Sequence, residues 1–147
     1  MAVIPLRYLG DPVLRLKAKP VAKVTKRIAR LLKDMEETMY AADGVGLAAP
    51  QVGVSERLIV VDVGDGPIHI VNPVLEKGEG IDVDREGCLS IPGVYGYVQR
   101  YAHVVVSGLD AKGKPLRVEG SGLLARALQH EIDHLDGVLF TDKATGL

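Results

Sequence analysis

The chain has 147 residues, enough to bury one real core and too few for two independent domains of ordinary size. A net charge of -1, 25% charged residues, one phenylalanine and no tryptophan describe an ordinary globular protein and disfavour a stacking platform for single-stranded nucleic acid. A single cysteine, Cys88, excludes an internal disulfide and suits a reducing compartment.

The opening stretch "MAVIPLRYLGDPVLR" lacks the uninterrupted apolar run of a secretory signal, and no later segment reaches membrane-spanning length without charge or glycine. The expected location is therefore the cytoplasm, with no membrane contact. Basic residues crowd the segment from Arg15 to Lys33, and acidic ones fill the middle from Asp62 to Glu86. A solvated helix face explains the basic cluster, and an anionic partner is the alternative.

From Thr25 to about Ala42, apolar residues at Ile28, Leu31, Leu32, Met35 and Met39 follow a helical period, with Thr25 as N-cap and Gly44 just past the end. "GVGLAAPQVG" reads as a glycine-rich turn rather than a regular element. Strand-like runs follow at "RLIVVDV", "PIHIVNPV", "AHVVVSGLD" and "PLRVEG". Their connections are too short for crossover helices, so the strands are expected to be mostly antiparallel. "REGCLSIPG", bounded by glycine and proline, reads as a shaped turn at a sheet edge. From Ser121 a second helix carries Leu123, Leu124, Ala127, Leu128, Ile132 and Leu135 on its apolar side and stops at Gly137. The expected architecture is α+β, one domain over residues 1–147, with antiparallel strands packed around the second helix and the first helix covering one side.

Within the second helix, "QHEIDHLDG" sets His130 and His134 on one face, able to share a metal ion. At roughly 3.6 residues per turn, Glu131 lies about a hundred degrees round, beside such an ion rather than on it. Chance occurrence of so short a pattern is an equal alternative. A catalytic site needs a third ligand, and Phe140 stands where one related pattern would place a histidine. No glutamate follows His134, so the third ligand must come from upstream: Cys88, His69, His103 or a carboxylate. The histidines lie in strand-like runs, where packed or solvated side chains are the ordinary reading. A buried, inert thiol is the ordinary reading of Cys88.

Three segments, "GVGLAAPQVG", "EGCLS" and "QHEIDHLDG", occur in this order and together resemble the signature motifs of the peptide deformylase family, and the likeness extends from "GDPVLRLKAKPV" to "GVLFTD". The resemblance implies a hydrolase that removes the N-formyl group from the formylmethionine of new polypeptides and releases formate. It implies Cys88, His130 and His134 as metal ligands, with a water in the fourth position and Glu131 as the group that takes the water's proton and returns it to the departing amine. It further implies an oxyanion held by the side-chain amide of Gln51 and the backbone N–H of Leu89. The backbone near Val45 and Gly46 would pair with substrate, and Val45, Leu123 and Ala127 would line the methionine pocket, although each also fits a core role. Glu86 and Arg100 resemble a pair that fixes the cysteine loop, a weak surface salt bridge being the alternative.

A Cys-His-His set is compatible with zinc and iron, and the resemblance implies ferrous iron as the physiological ion, with zinc, nickel or cobalt able to occupy the site and with sensitivity to oxygen. The implied partner is the nascent formyl-Met polypeptide, with ribosome contact and no sequence-specific nucleic-acid binding. Two features depart from many relatives: Tyr95 stands where they carry an arginine, and the chain stops at Leu147 where they continue into a helix used to approach the ribosome. Docking is then expected to use another surface, such as the basic N-terminal part. Two competing readings are a zinc peptidase cleaving internal bonds and a metal-stabilised binding module without catalysis. Glu131 and Gln51 speak against the module, because a structural site needs neither.

Overall fold

The computed structural model describes residues 2–147. Among them are two α-helices, α1 (Lys26–Ala41) and α2 (Gly122–Leu135), and seven strands: β1 (Gly46–Ala48), β2 (Leu58–Val61), β3 (Ile68–Glu79), β4 (Asp82–Cys88), β5 (Ile91–Arg100), β6 (His103–Leu109) and β7 (Pro115–Ser121). One sheet has the order β1-β2-β3-β6-β7, and β4 and β5 form a separate two-stranded sheet. All pairings between these strands are antiparallel, in keeping with the α+β reading.

The five-stranded sheet is covered differently on its two faces. Ile28, Leu32, Met35 and Met39 of α1 pack with Leu58, Val60 and Val71, whereas Ala125, Leu128 and Leu135 of α2 pack with Ile59, Val61, Ile70, Val104 and Val106. Strand β2 is therefore apolar at every position because both of its faces are buried. A third cluster, Leu14, Ile91, Val98, Leu139 and Phe140, packs beneath the β4–β5 hairpin. The hairpin is thus held by its own small core against the Leu14 turn and the Leu139–Phe140 segment that follows α2.

Local chemistry sets the element ends. The Thr25 side chain accepts a hydrogen bond from the Ile28 N–H at the start of α1. At its end the left-handed position is taken by Asp43, with φ of 58°, and not by the expected Gly44, whose N–H closes onto the Met39 carbonyl. Gly137 does take the left-handed position after α2.

Three stretches differ from their sequence reading. "GVGLAAPQVG" contains strand β1 and a 3-10 turn over Ala49–Val52, because pairing with β2 supplies the order that so short a segment lacks on its own. Strand β3 runs on to Glu79, and a register shift between Val71 and Val74 absorbs Pro73. The "REGCLSIPG" turn is the tip of the long β4–β5 hairpin. His69 hydrogen-bonds Glu36, and His103 contacts Ser121 and Glu119, so both are side chains of the sheet. No helix of the described residues is long and apolar enough to cross a membrane.

The bulge in β3 anchors the segment before α1. Asn72 sits at φ of 53°, and its side chain accepts from the Val21 N–H and donates to the Val21 carbonyl, both at 2.8 Å. Asn72→Ala should lose both bonds and force alanine into a left-handed conformation, a cost of about 3 kcal/mol. Asn72→Gly avoids the backbone strain and should lose about 1 kcal/mol less. Equilibrium denaturation of the two variants checks the ordering, and equal losses would remove the conformational contribution.

Candidate metal centre

Helix α2 is amphipathic in an unusual way: its buried face carries Arg126, Gln129, Glu131 and His134 among the alanines and leucines. His130 and His134 stand one turn apart, with ring centroids 5.0 Å from each other. The tip of the β4–β5 hairpin brings Cys88 to the same point, its Sγ 3.4 Å from His134 Nε2. One ligand atom from each of Cys88, His130 and His134 lies within 4.8 Å of the others.

The three residues suit a cation. Ligands at about 2.3 Å for sulfur and 2.0–2.1 Å for nitrogen on a tetrahedral ion lie roughly 3.6 Å apart, close to the observed sulfur–nitrogen separation. Burial disfavours charge on His130, yet the nearby Glu131, Cys88 and Glu86 outweigh it and raise its pKa to about 10. The same anionic surroundings attract any cation placed there. His134 is pushed well below its usual value, first by burial and then by the charges of His130 and Arg100, which keeps its imidazole neutral and able to ligate. Two buried polar atoms of the described residues, Glu131 Oε1 and His134 Nδ1, have no hydrogen-bond partner.

Behind the ligands lies a buried charge network. Glu86 accepts from Arg100 at 2.8 and 2.9 Å, from Arg126 at 2.5 Å and from His130 Nδ1 at 2.9 Å. Burial alone would raise the Glu86 pKa, but its Arg100 and His130 partners hold it far below the carboxylate range. An ionised carboxylate only accepts, so His130 Nδ1 carries the proton and Nε2 is free to face the cysteine. Arg100 also bonds Asp133 at 2.6 Å, and Arg126 bonds the carbonyls of Val98 and Asp82, each at 2.9 Å. The Glu86–Arg100 pair is therefore buried, not the weak surface bridge weighed as the alternative.

In front of the ligands opens a cavity of about 480 Å³ whose walls include Val45, Gly46, Gln51, Leu89, Ala127 and Glu131. A Cβ on Gly46 would lie 2.5 Å from Glu131 Oε2, so only glycine leaves that carboxylate its place. Gln51 is buried, and its amide orientation is fixed: Oε1 accepts from the Ala48 N–H at 3.0 Å, while Nε2 donates to Ser90 Oγ at 3.1 Å and toward Cys88 Sγ at 3.6 Å. The donating end thus faces the cysteine tip.

Strand β1 is the edge of its sheet. The carbonyl of Val45, just before it, accepts from the Asp62 N–H beyond β2, so alternation turns the N–H and C=O of Gly46 away from β2, on the side of the cavity that Gly46 lines. Of the expected pocket residues, Ala127 is buried, while Val45 and Leu123 are 43% and 53% exposed at the rim.

Sequence reading missed Arg126, Asp133 and Ser90. Arg126 had a signal, an arginine on the apolar face one turn before His130. Ser90 and Asp133 had none, because their partners come from distant segments.

Residues 3–147 match the family described as polypeptide deformylase. A peptide deformylase of Pelotomaculum thermopropionicum is 56% identical over 147 residues, covering 100% of this chain and 95% of that protein. The crystal structure of peptide deformylase from Thermotoga maritima superposes with a TM-score of 0.96 at 42% identity, covering 99% of each chain. That of Synechococcus elongatus, solved with actinonin, gives a TM-score of 0.95 at 47% identity, covering 99% of this chain and 81% of that one. Matched over nearly its whole length, the chain belongs to the peptide deformylase family, hydrolases that remove the N-formyl group from nascent polypeptides.

Proposed function

We propose that deformylation takes place in the cavity before Cys88, His130 and His134, with these three side chains holding a divalent ion. The observation that carries this reading is the convergence of a thiol and two imidazoles, one of them neutral and one oriented by Glu86, beside an unpartnered buried carboxylate. When bound, such an ion supplies a Lewis acid that lowers the pKa of water and polarises a carbonyl.

The chain's own residues supply the rest. The Gly46 backbone pairs with the extended substrate, and the methionine side chain enters the pocket lined by Val45, Leu123 and Ala127. Glu131, whose pKa burial pushes up to about 7, holds the attacking water, accepts its proton and delivers it to the amine nitrogen as the C–N bond breaks. Gln51 Nε2 and the Leu89 N–H stabilise the negative charge that develops on the formyl oxygen. The products are formate and a polypeptide with a free amino terminus.

Ferrous iron is the proposed physiological ion, consistent with a mixed thiolate and imidazole set, and zinc, nickel and cobalt suit the same donors. The proposed setting is the cytoplasm, where residues 1–147 act as one catalytic domain that meets nascent formyl-Met polypeptides at the ribosome.

Protein prepared anaerobically and loaded with ferrous iron should release formate from a formyl-Met peptide without cutting internal bonds. Internal cleavage, or no formate from a fully metallated sample, would overturn the assignment. Glu131→Gln should retain the metal and lower kcat by about 10²–10⁴-fold. An unchanged rate in that variant would remove Glu131 as proton carrier. Arg126→Met keeps the length of the side chain but deprives Glu86 of a partner, and should weaken metal affinity by about 10–100-fold in chelator competition. Unaltered affinity would mean that Arg100 alone suffices to orient Glu86.

A further inference from the structure

Beyond the catalytic groups, the rim of the cavity carries a cation with no assigned task. Arg85 of β4 lines the cavity, and its guanidinium carbon lies 4.3 Å from the centre of the Tyr95 ring on β5. The ring is in turn seated on Gly87, where a Cβ would come within 2.7 Å of it. Contacts with Gly87 and the Arg85 guanidinium thus position Tyr95, which remains 49% exposed. Among the described residues no carboxylate pairs with Arg85, whereas the other arginine lining the cavity, Arg126, is consumed by Glu86 and Asp82. A guanidinium stacked by its face keeps its N–H edges free for a carboxylate.

We propose that Arg85, held on Tyr95, selects for negative charge in the residues that follow the formylated methionine. The inference rests on the deformylase reading of the cavity and adds a specificity element to it. If the methionine side chain enters the pocket while its backbone pairs with Gly46, the rest of the chain leaves through the same cavity, whose lining includes Asp43, Arg85 and Tyr95. Alternate side chains of an extended strand point the same way, so the third residue emerges on the same side as the methionine side chain, farther along the one cavity that both Ala127 and Arg85 line. Asp43, exposed and also lining the cavity, adds repulsion for acidic side chains directed toward it. Charge at the third position is therefore the sensitive case.

The test uses the metal-loaded protein and three peptides with amidated C-termini, formyl-Met-Ala-Ser, formyl-Met-Ala-Glu and formyl-Met-Ala-Lys. At low ionic strength the wild type should favour Glu over Lys in kcat/KM by about three- to tenfold, and 0.5 M salt, at roughly a 4 Å screening length, should erase most of that preference. Arg85→Gln should bring the ratio close to one, Arg85→Glu should invert it, and Tyr95→Ala, which unseats the guanidinium without removing its charge, should reduce it. Because the readout is a ratio on one preparation, losses of folding or metal cancel. A wild-type ratio near one, or a ratio unchanged in Arg85→Glu, overturns the proposal while leaving deformylation intact. No turnover of the serine peptide would overturn both.

Discussion

The carboxylate of Glu86 joins the two halves of the molecule. It lies at the end of β4, and through it Arg100 of β5, Arg126 of α2 and His130 of α2 share a single buried negative charge. Such a cluster is costly to desolvate, and it persists because each Glu86 oxygen accepts from two donors and both guanidinium groups have further acceptors. Removing one member would leave a charge buried without its partner, at about 3–5 kcal/mol. The network thereby fixes the distance between the hairpin and α2, since the hairpin's own apolar cluster packs on Leu14, Leu139 and Phe140 rather than on that helix. Cysteine and histidines inherit that spacing.

This arrangement explains how a helix with so many polar residues can lie in the middle of the protein. Burying Arg126, Gln129, Glu131 and His134 would normally cost more than the helix gains from Ala125, Leu128 and Leu135. Most of the polar groups are satisfied by β4, β5 and the Tyr101 backbone, which accepts from and donates to Gln129. The exceptions, Glu131 Oε1 and His134 Nδ1, belong to the two residues nearest the proposed chemistry. Local dissatisfaction there is bought by full satisfaction around it.

How much of this was legible in the sequence follows the range of the interactions. The period of Ile28, Leu32, Met35 and Met39 is local, and α1 was readable to within a residue; so was the HExxH spacing on α2. Strand β1 was not readable, because its three residues are ordered by β2 rather than by their own propensity. The length of β3 was hidden by Pro73, which the pattern treats as a terminator and the fold treats as a bulge. At the site, residues within recognisable motifs could be named, whereas Ser90 and Asp133 depend on pairings across 39 and 33 residues. Arg126 falls between these cases, for its oddity was visible but its partners were not.

Edge strand β1 is too short to behave as an ordinary sheet edge. The Val45 carbonyl just before it accepts from Asp62 just after β2, and its own Ala48 N–H is taken by Gln51, with Pro50 closing the turn beyond. The edge facing the cavity is thus a dead end, offering the polar groups of little more than Gly46. The same brevity denies a second sheet the row of free amides it would need to dock edge to edge, and a receptive strand is kept from becoming a sticky one.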